Sequence, residues 1–197
     1  FEFTTLAALW LFQQATLEVL VLEIGLGGRL DAVNIVEPEI SVITSIGLDH
    51  QAWLGETREE IAYEKAGIIR ENKIVVIGEE DPPQSLCDAS RRAAVVRWFG
   101  QDFGPAPFSA PTLVPSNLAC AWEVMQILQT RLPVDANDLA RQLNELTIPG
   151  RCEVVNQNPL VIRDVAHNRD GYQRLSQYLK TLPSPTHRHA VFSCYQD

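Results

Sequence analysis

Glu23, His50 and Lys65 are the residues of this 197-residue chain whose types and positions could do chemistry together. Glu23 follows the apolar run Val19-Leu20-Val21-Leu22, and Gly25, Gly27 and Gly28 come close behind it, then Arg29, Leu30 and Asp31. His50 closes Gly47-Leu48-Asp49-His50, just past a second apolar run, Ile40 to Ile46. Open α/β sheets place ligands at the carboxyl ends of their strands, so neighbouring parallel strands would bring Glu23 and His50 to one rim. A carboxylate and a neutral imidazole suit a hard or borderline divalent cation. The plainer alternatives are a tight turn after a core strand and a hydrogen-bonded loop histidine, and spacing alone leaves both open. Lys65 falls in Glu64-Lys65-Ala66-Gly67-Ile68, at an expected helix C-terminus. A cation there complements the helix dipole, and nothing in the spacing forces another role.

A second group stands later in the chain. Asp164-Val165-Ala166-His167-Asn168 follows the apolar stretch Leu160-Val161-Ile162. That puts Asp164 and His167 at a strand end opening a helix, a suitable place to meet a nucleotide; alternatively Asn168 is only the helix cap. Arg151 follows Gly150 at a break in the pattern. Its planar fork could clamp a phosphate, or form an interdomain salt bridge.

These residues need elements to carry them. The apolar runs predict strands over 18–24, 40–46 and 73–78, a weaker one at 93–98, and a last one at 190–194. Thr4 or Thr5 caps a first helix through Phe12, and Thr57-x-x-Glu60 is a capping box opening a helix to Ala66, stopped by Gly67. Pro82-Pro83 reads as a break, and 99–115 as an extended Gly- and Pro-rich loop. Ser116 or Asn117 caps a long helix to about 132, and Asp135 another to about 146. A hairpin over 153–162 turning at 156–159 and a helix over 170–182 follow. Strands alternating with helices imply parallel βαβ units, so the chain is α/β, with domains 1–150 and 151–197.

Composition sets limits. Apolar residues make up 46% and charged residues 21%, an ordinary globular mix. The net charge of −9, without clustered Lys and Arg, argues against a nucleic-acid surface. No apolar run is as long as a membrane span, and the start lacks the basic segment of a signal peptide. Cys87, Cys120, Cys152 and Cys194 are scattered, without C-x-x-C spacing, and read as reduced thiols of a cytoplasmic protein. A first residue other than Met and a closing apolar run both suggest a piece of a longer enzyme.

Taken in order, five stretches resemble the Mur ligase superfamily. They are Glu23-Ile24-Gly25-Leu26-Gly27-Gly28-Arg29-Leu30-Asp31-Ala32, Thr44-Ser45-Ile46-Gly47-Leu48-Asp49-His50, Glu64-Lys65-Ala66-Gly67-Ile68, Pro149-Gly150-Arg151 and Asp164-Val165-Ala166-His167-Asn168. The Leu-Gly-Gly-Arg-Leu-Asp form is similar to the folylpolyglutamate synthase/dihydrofolate synthase branch. The resemblance implies an incomplete central ATPase-type domain with a mostly parallel sheet, then part of a smaller Rossmann-like domain. It implies that Glu23, His50 and Lys65 hold Mg2+, with Lys65 carbamylated and, with His50, catalytic. Leu30, Asp31 and Ala32 would line the dihydropteroate or folate site. Asn117, Arg151, Asp164 and His167 would bind ATP.

The implied reaction joins L-glutamate to dihydropteroate or a reduced folate. ATP converts a carboxylate into an acyl phosphate, which the glutamate amine attacks. ATP, L-glutamate and the folate substrate are the expected partners; nucleic acid and membrane are not, and a monomer is expected. The family's Gly-rich phosphate loop, of the G-x-x-G-K-[ST] type, does not occur here and is expected upstream of position 1. These 197 residues alone are therefore expected to be inactive. Arg169 stands where the family usually has proline. Two alternatives are a peptidoglycan-precursor amino-acid ligase and a non-catalytic binding relative.

Overall fold

A computed structural model describes residues 1–108, 110, 112–146, 148–183 and 187–193. They fall into two units, Phe1–Phe103 and Gly104–Asp197. The division lies in the Gly- and Pro-rich loop, and the break read at 149–152 lies inside the second unit, where Gly150 takes φ +73°.

In the first unit, helix α1 (Glu2–Gln14) begins on Phe1, ahead of the expected threonine cap. Thr5 sits inside the first turn, and its hydroxyl donates back to the Phe1 carbonyl at 3.1 Å. The strand expected at 18–24 is not formed: residues 15–24 carry neither helix nor strand, and Val21 is 88% exposed. The run has strand composition, but a strand needs a ladder partner for its amides and carbonyls. Among the described residues no strand pairs with it.

The sheet is made of β1 (Ile40–Ile43), β2 (Ile74–Ile77) and β3 (Val95–Trp98), in that order and parallel throughout. Helices α2 (Gln51–Leu54) and α3 (Arg58–Ala66) connect β1 to β2, and α4 (Gln84–Ser90) connects β2 to β3. The core joins Ile43 and Ile46 to Ile61, Ala62 and Ala66 of α3, to Val75 and Ile77, and to Leu86 of α4. Ile61 has no exposed surface. Ile61→Ala is expected to cost about 2–5 kcal/mol, read by urea unfolding, because the cavity it leaves is hemmed by strands and a helix.

The capping box forms as expected. The Thr57 hydroxyl accepts the Glu60 amide at 3.2 Å, and the Glu60 carboxylate accepts the Thr57 amide at 3.0 Å. The Thr57 hydroxyl also donates to the Glu60 carboxylate at 3.0 Å, and this bond, with the Thr57 and Glu56 amides, holds the Glu60 carboxyl below its ordinary pKa. Its folded pKa is depressed, so its contribution is present above the ordinary glutamate range and is lost as pH falls through the lower, folded value. Thr57→Ala should lose about 1 kcal/mol of stability at neutral pH and less in acid.

Helix α4 went unread at Pro82-Pro83. Its N-terminus is capped from α3: the Glu59 carboxylate accepts the Gln84 and Ser85 amides at 2.9 and 2.8 Å.

In the second unit, α5 (Pro115–Leu128) starts at Pro115, ahead of Ser116 and Asn117, since proline is pre-set for the first helical position. Helix α6 (Ala136–Glu145) is capped by Asp135, as expected. Strands β4 (Glu153–Gln157) and β5 (Leu160–Arg163) form the antiparallel hairpin, and α7 (Arg169–Thr181) is capped by Asn168. The closing strand is a correction. Residues 190–193 carry no strand and Phe192 is 78% exposed; among the described residues no strand pairs with them, and position 194 lies outside the described residues. No helix among the described residues is long and apolar enough to cross a membrane. Cys87, Cys120 and Cys152 are free thiols, and burial pushes Cys120 up to about 11.

Candidate functional site

Asp31 builds the glycine loop. One of its oxygens accepts the Gly25 and Leu26 amides, each at 3.0 Å, and the other accepts the Val33 amide at 2.8 Å. A single carboxylate thereby bends the loop and caps the short 3-10 turn Ala32–Ile35. The loop then docks on the last turn of α3. The Arg29 amide donates to the Glu64 carbonyl at 2.8 Å, and its guanidinium reaches Glu64 Oε1 at 2.8 and 3.2 Å. The same guanidinium lies 5.4 Å over the Tyr63 ring. A Cβ on Gly28 would stand 2.9 Å from both the Glu64 and Lys65 carbonyl oxygens, so the approach needs glycine.

The end of β1 supplies the facing loop. The Ile46 amide donates to the Glu79 carboxylate at 2.6 Å, and Arg58 Nε donates to the Ile46 carbonyl at 3.0 Å. Arg58 also pairs with Glu79 at 3.1 Å and Asp81 at 2.9 Å. This fixes the course of the chain into Asp49 and His50. His50 takes a left-handed φ of 54° as it starts α2, and its amide donates to Asp49 Oδ1 at 2.9 Å.

The loop, the β1 end and α3 meet around a pocket of about 190 Å3, lined by residues 24–27 with Asp49, His50, Leu54 and Lys65. Burial lowers the Lys65 pKa from its ordinary value, and the negative charge of Asp49 opposes the shift. His50 and Lys65 therefore share one pocket. Glu23 is exposed and precedes the lining residue Ile24 without lining the pocket itself. Leu30 is exposed, Asp31 is half-buried with its carboxylate on the loop amides, and Ala32 opens the 3-10 turn. Asp49 is the pocket residue that the sequence reading passed over, although it stands directly before His50. A larger open depression of about 460 Å3 lies along α2 and α3, lined by Trp53, Tyr63 and glutamates, and none of the expected site residues borders it.

In the second unit, Asp164 ties the loop before β4 to the loop after β5. Its carboxylate accepts the Cys152 amide at 2.7 Å and the Ala166 amide at 2.8 Å, while the Val165 amide donates to the Gly150 carbonyl at 2.9 Å. Arg151 is exposed between Gly150 and Cys152. His167 Nδ1 stands 2.9 Å from the Val165 carbonyl, and Asn117 is exposed in the first turn of α5.

Known proteins match this chain throughout. The Mur ligase middle domain family matches residues 2–108. The dihydrofolate synthase/folylpolyglutamate synthase of Escherichia coli (strain K12) is 38% identical across 100% of this chain and 50% of its own length. Among solved structures, E. coli FolC in complex with DHPP and ADP aligns with a TM-score of 0.83 and 37% identity, over 92% of this chain and 47% of that one. A bifunctional folylpolyglutamate synthase/dihydrofolate synthase from Yersinia pestis, complexed with AMPPNP and Mn ion, aligns with a TM-score of 0.83 and 39% identity, over 92% and 48%. The chain spans about half the length of the curated relatives it matches first. With that family's pattern running through its whole first unit, this chain belongs to the Mur ligases.

Proposed function

We propose that this chain is part of an ATP-dependent ligase that adds L-glutamate to dihydropteroate, to reduced folates, or to both. The observation that supports this most directly is the pocket where residues 24–27, His50 and Lys65 meet. The relatives' bound ADP, AMPPNP, Mn ion and DHPP are of the chemistry this reading requires.

The donor set fits a divalent cation on two conditions: Lys65 must lose its positive charge, and Glu23, which does not line the pocket, must reach into it. Asp49 and His50 line the pocket, but Lys65 as an ammonium ion repels a cation. Burial favours its neutral amine. That amine nitrogen bonds to the carbon of CO2 and releases a proton to water, and the charge on residue 65 becomes negative. Glu23, His50 and carbamylated Lys65 would then hold Mg2+. When bound, the ion would neutralise charge gathering on the transferred phosphoryl group.

The chain's own residues do the rest. His50 holds its donor at the start of α2 and Lys65 at the last turn of α3. Leu30, Asp31 and Ala32 present the folate substrate, with Asp31 shaping the loop through its amide bonds. Asn117, Arg151, Asp164 and His167 would bind ATP, with Arg151 offering its fork to phosphate. The domain boundary we propose is at 150/151, and the protein we propose is a cytoplasmic monomer.

The test is an assay of the full-length protein with dihydropteroate and with a reduced folate, each with L-glutamate and ATP. ADP release and a new amide that both require glutamate support the reading. ATP turnover dependent on a cell-wall precursor and another amino acid would replace it with the peptidoglycan branch, and no turnover would favour a binding protein.

A further inference from the structure

The Arg29–Glu64 contact joins the two parts of the proposed site. Residue 29 immediately precedes the loop positions 30–32, and residue 64 immediately precedes Lys65. The junction is made at several points: the Arg29 amide on the Glu64 carbonyl at 2.8 Å, and the guanidinium on one Glu64 oxygen at 2.8 and 3.2 Å. The Asn34 side-chain amide also donates to the Arg29 and Gly67 carbonyls, each at 3.2 Å. The Arg29 side chain is 41% exposed and Glu64 19% exposed, so solvent screens the pair and it adds little to global stability. What it does supply is geometry. A planar fork, laid over Tyr63 and aimed at one carboxylate oxygen, fixes the rotation of the loop against the helix end.

We propose that Arg29 and Glu64 are positioning residues that hold the 25–32 loop in register with Lys65, so that the folate-presenting loop and the ion-holding residue 65 move as one body. This rests on the reading of Lys65 and of the loop given above. It assigns a role to two residues outside the proposed set of substrate and ion ligands. Their effect passes through the shared contact, so the two should be coupled, each losing its use when the other is removed.

The experiment uses the full-length protein with Arg29→Gln, Glu64→Gln, the double substitution, and the exchanged pair Arg29→Glu/Glu64→Arg. Arg29→Lys, which keeps charge without the fork, guards against loss of folding. Three readouts are taken: hydrogen–deuterium exchange of the 25–34 amides, kcat with its divalent-ion midpoint, and Tm. The expected result is faster exchange in that loop and roughly tenfold lower kcat with a raised ion midpoint for each single variant, as for other partners that orient a ligand. The double variant should be no worse than either single one, and the exchanged pair should recover part of the loss, with Tm nearly unchanged. Unchanged loop exchange, multiplying single effects, or a kcat loss that only follows unfolding would overturn the proposal. If the unsubstituted protein joins no glutamate at all, the ligase reading fails, while loop exchange still decides whether Arg29 holds the loop.

Discussion

Lys65→Ala in the full-length protein is expected to lower glutamate-dependent ATP turnover roughly a hundredfold to a thousandfold, the order seen when one pre-set stabilising group is removed from an active site. Lys65→Arg should be no better. Arginine is as long and as positive, but its guanidinium keeps its proton and forms no carbamate. Charge alone therefore separates two accounts of this lysine. If it served only to complement the dipole of α3, arginine would substitute well and alanine would cost a fraction of a kcal/mol. If its amine becomes a carboxylate, both substitutions fail alike. Added formate should then partly restore Lys65→Ala, by supplying a small carboxylate to the vacated space, and should leave Lys65→Arg unrestored. The measurement is ADP release against formate concentration. Full activity in Lys65→Arg would remove the carbamate from the mechanism.

Local signals in the sequence carried a long way here, and non-local ones did not. The Thr57–Glu60 capping box, the Asp135 and Asn168 caps and the 153–162 hairpin rest on residues within a few positions of each other, and all formed where read. Helix α4 escaped because its cap comes from Glu59, 25 residues before Gln84, while the local text shows only two prolines. The run 18–24 has the composition of a strand, but composition names a preference and only a neighbour makes a ladder. Among the site residues, motif order pointed to Glu23, His50 and Lys65; the pocket gathers His50 and Lys65 with residues 24–27, and Glu23 stands one residue outside its lining. It could not show that Asp31 turns both oxygens onto its own loop, nor that Arg29 reaches Glu64 across 35 positions. Such pairings are properties of the folded contact surface, not of either segment.

Gly67→Ala sets two physical rules against each other. Gly67 ends α3 at φ −62°, an ordinary helical angle, so the backbone accepts alanine without strain. Propensity alone then predicts a gain of up to about 1 kcal/mol. The contact predicts the reverse. A Cβ there would lie 2.3 Å from the Arg29 Cβ and 2.5 Å from its Cα, closer than carbon atoms approach. One neighbour is backbone, so rotating a side chain cannot relieve the overlap and the loop itself must move. Overpacking of this kind costs about 1–3 kcal/mol, which exceeds the propensity gain. The expected outcome is net destabilisation in urea, with faster exchange of the 25–34 amides and weaker turnover, because the displaced loop carries Leu30 to Ala32. Gly104→Ala is the matched control: a Cβ there meets nothing within 4 Å, and it should leave both stability and exchange unchanged. If Gly67→Ala stabilised the protein instead, the loop would not be seated on α3 as the Arg29 contacts require, and the alignment of the proposed folate loop with Lys65 would lose its basis.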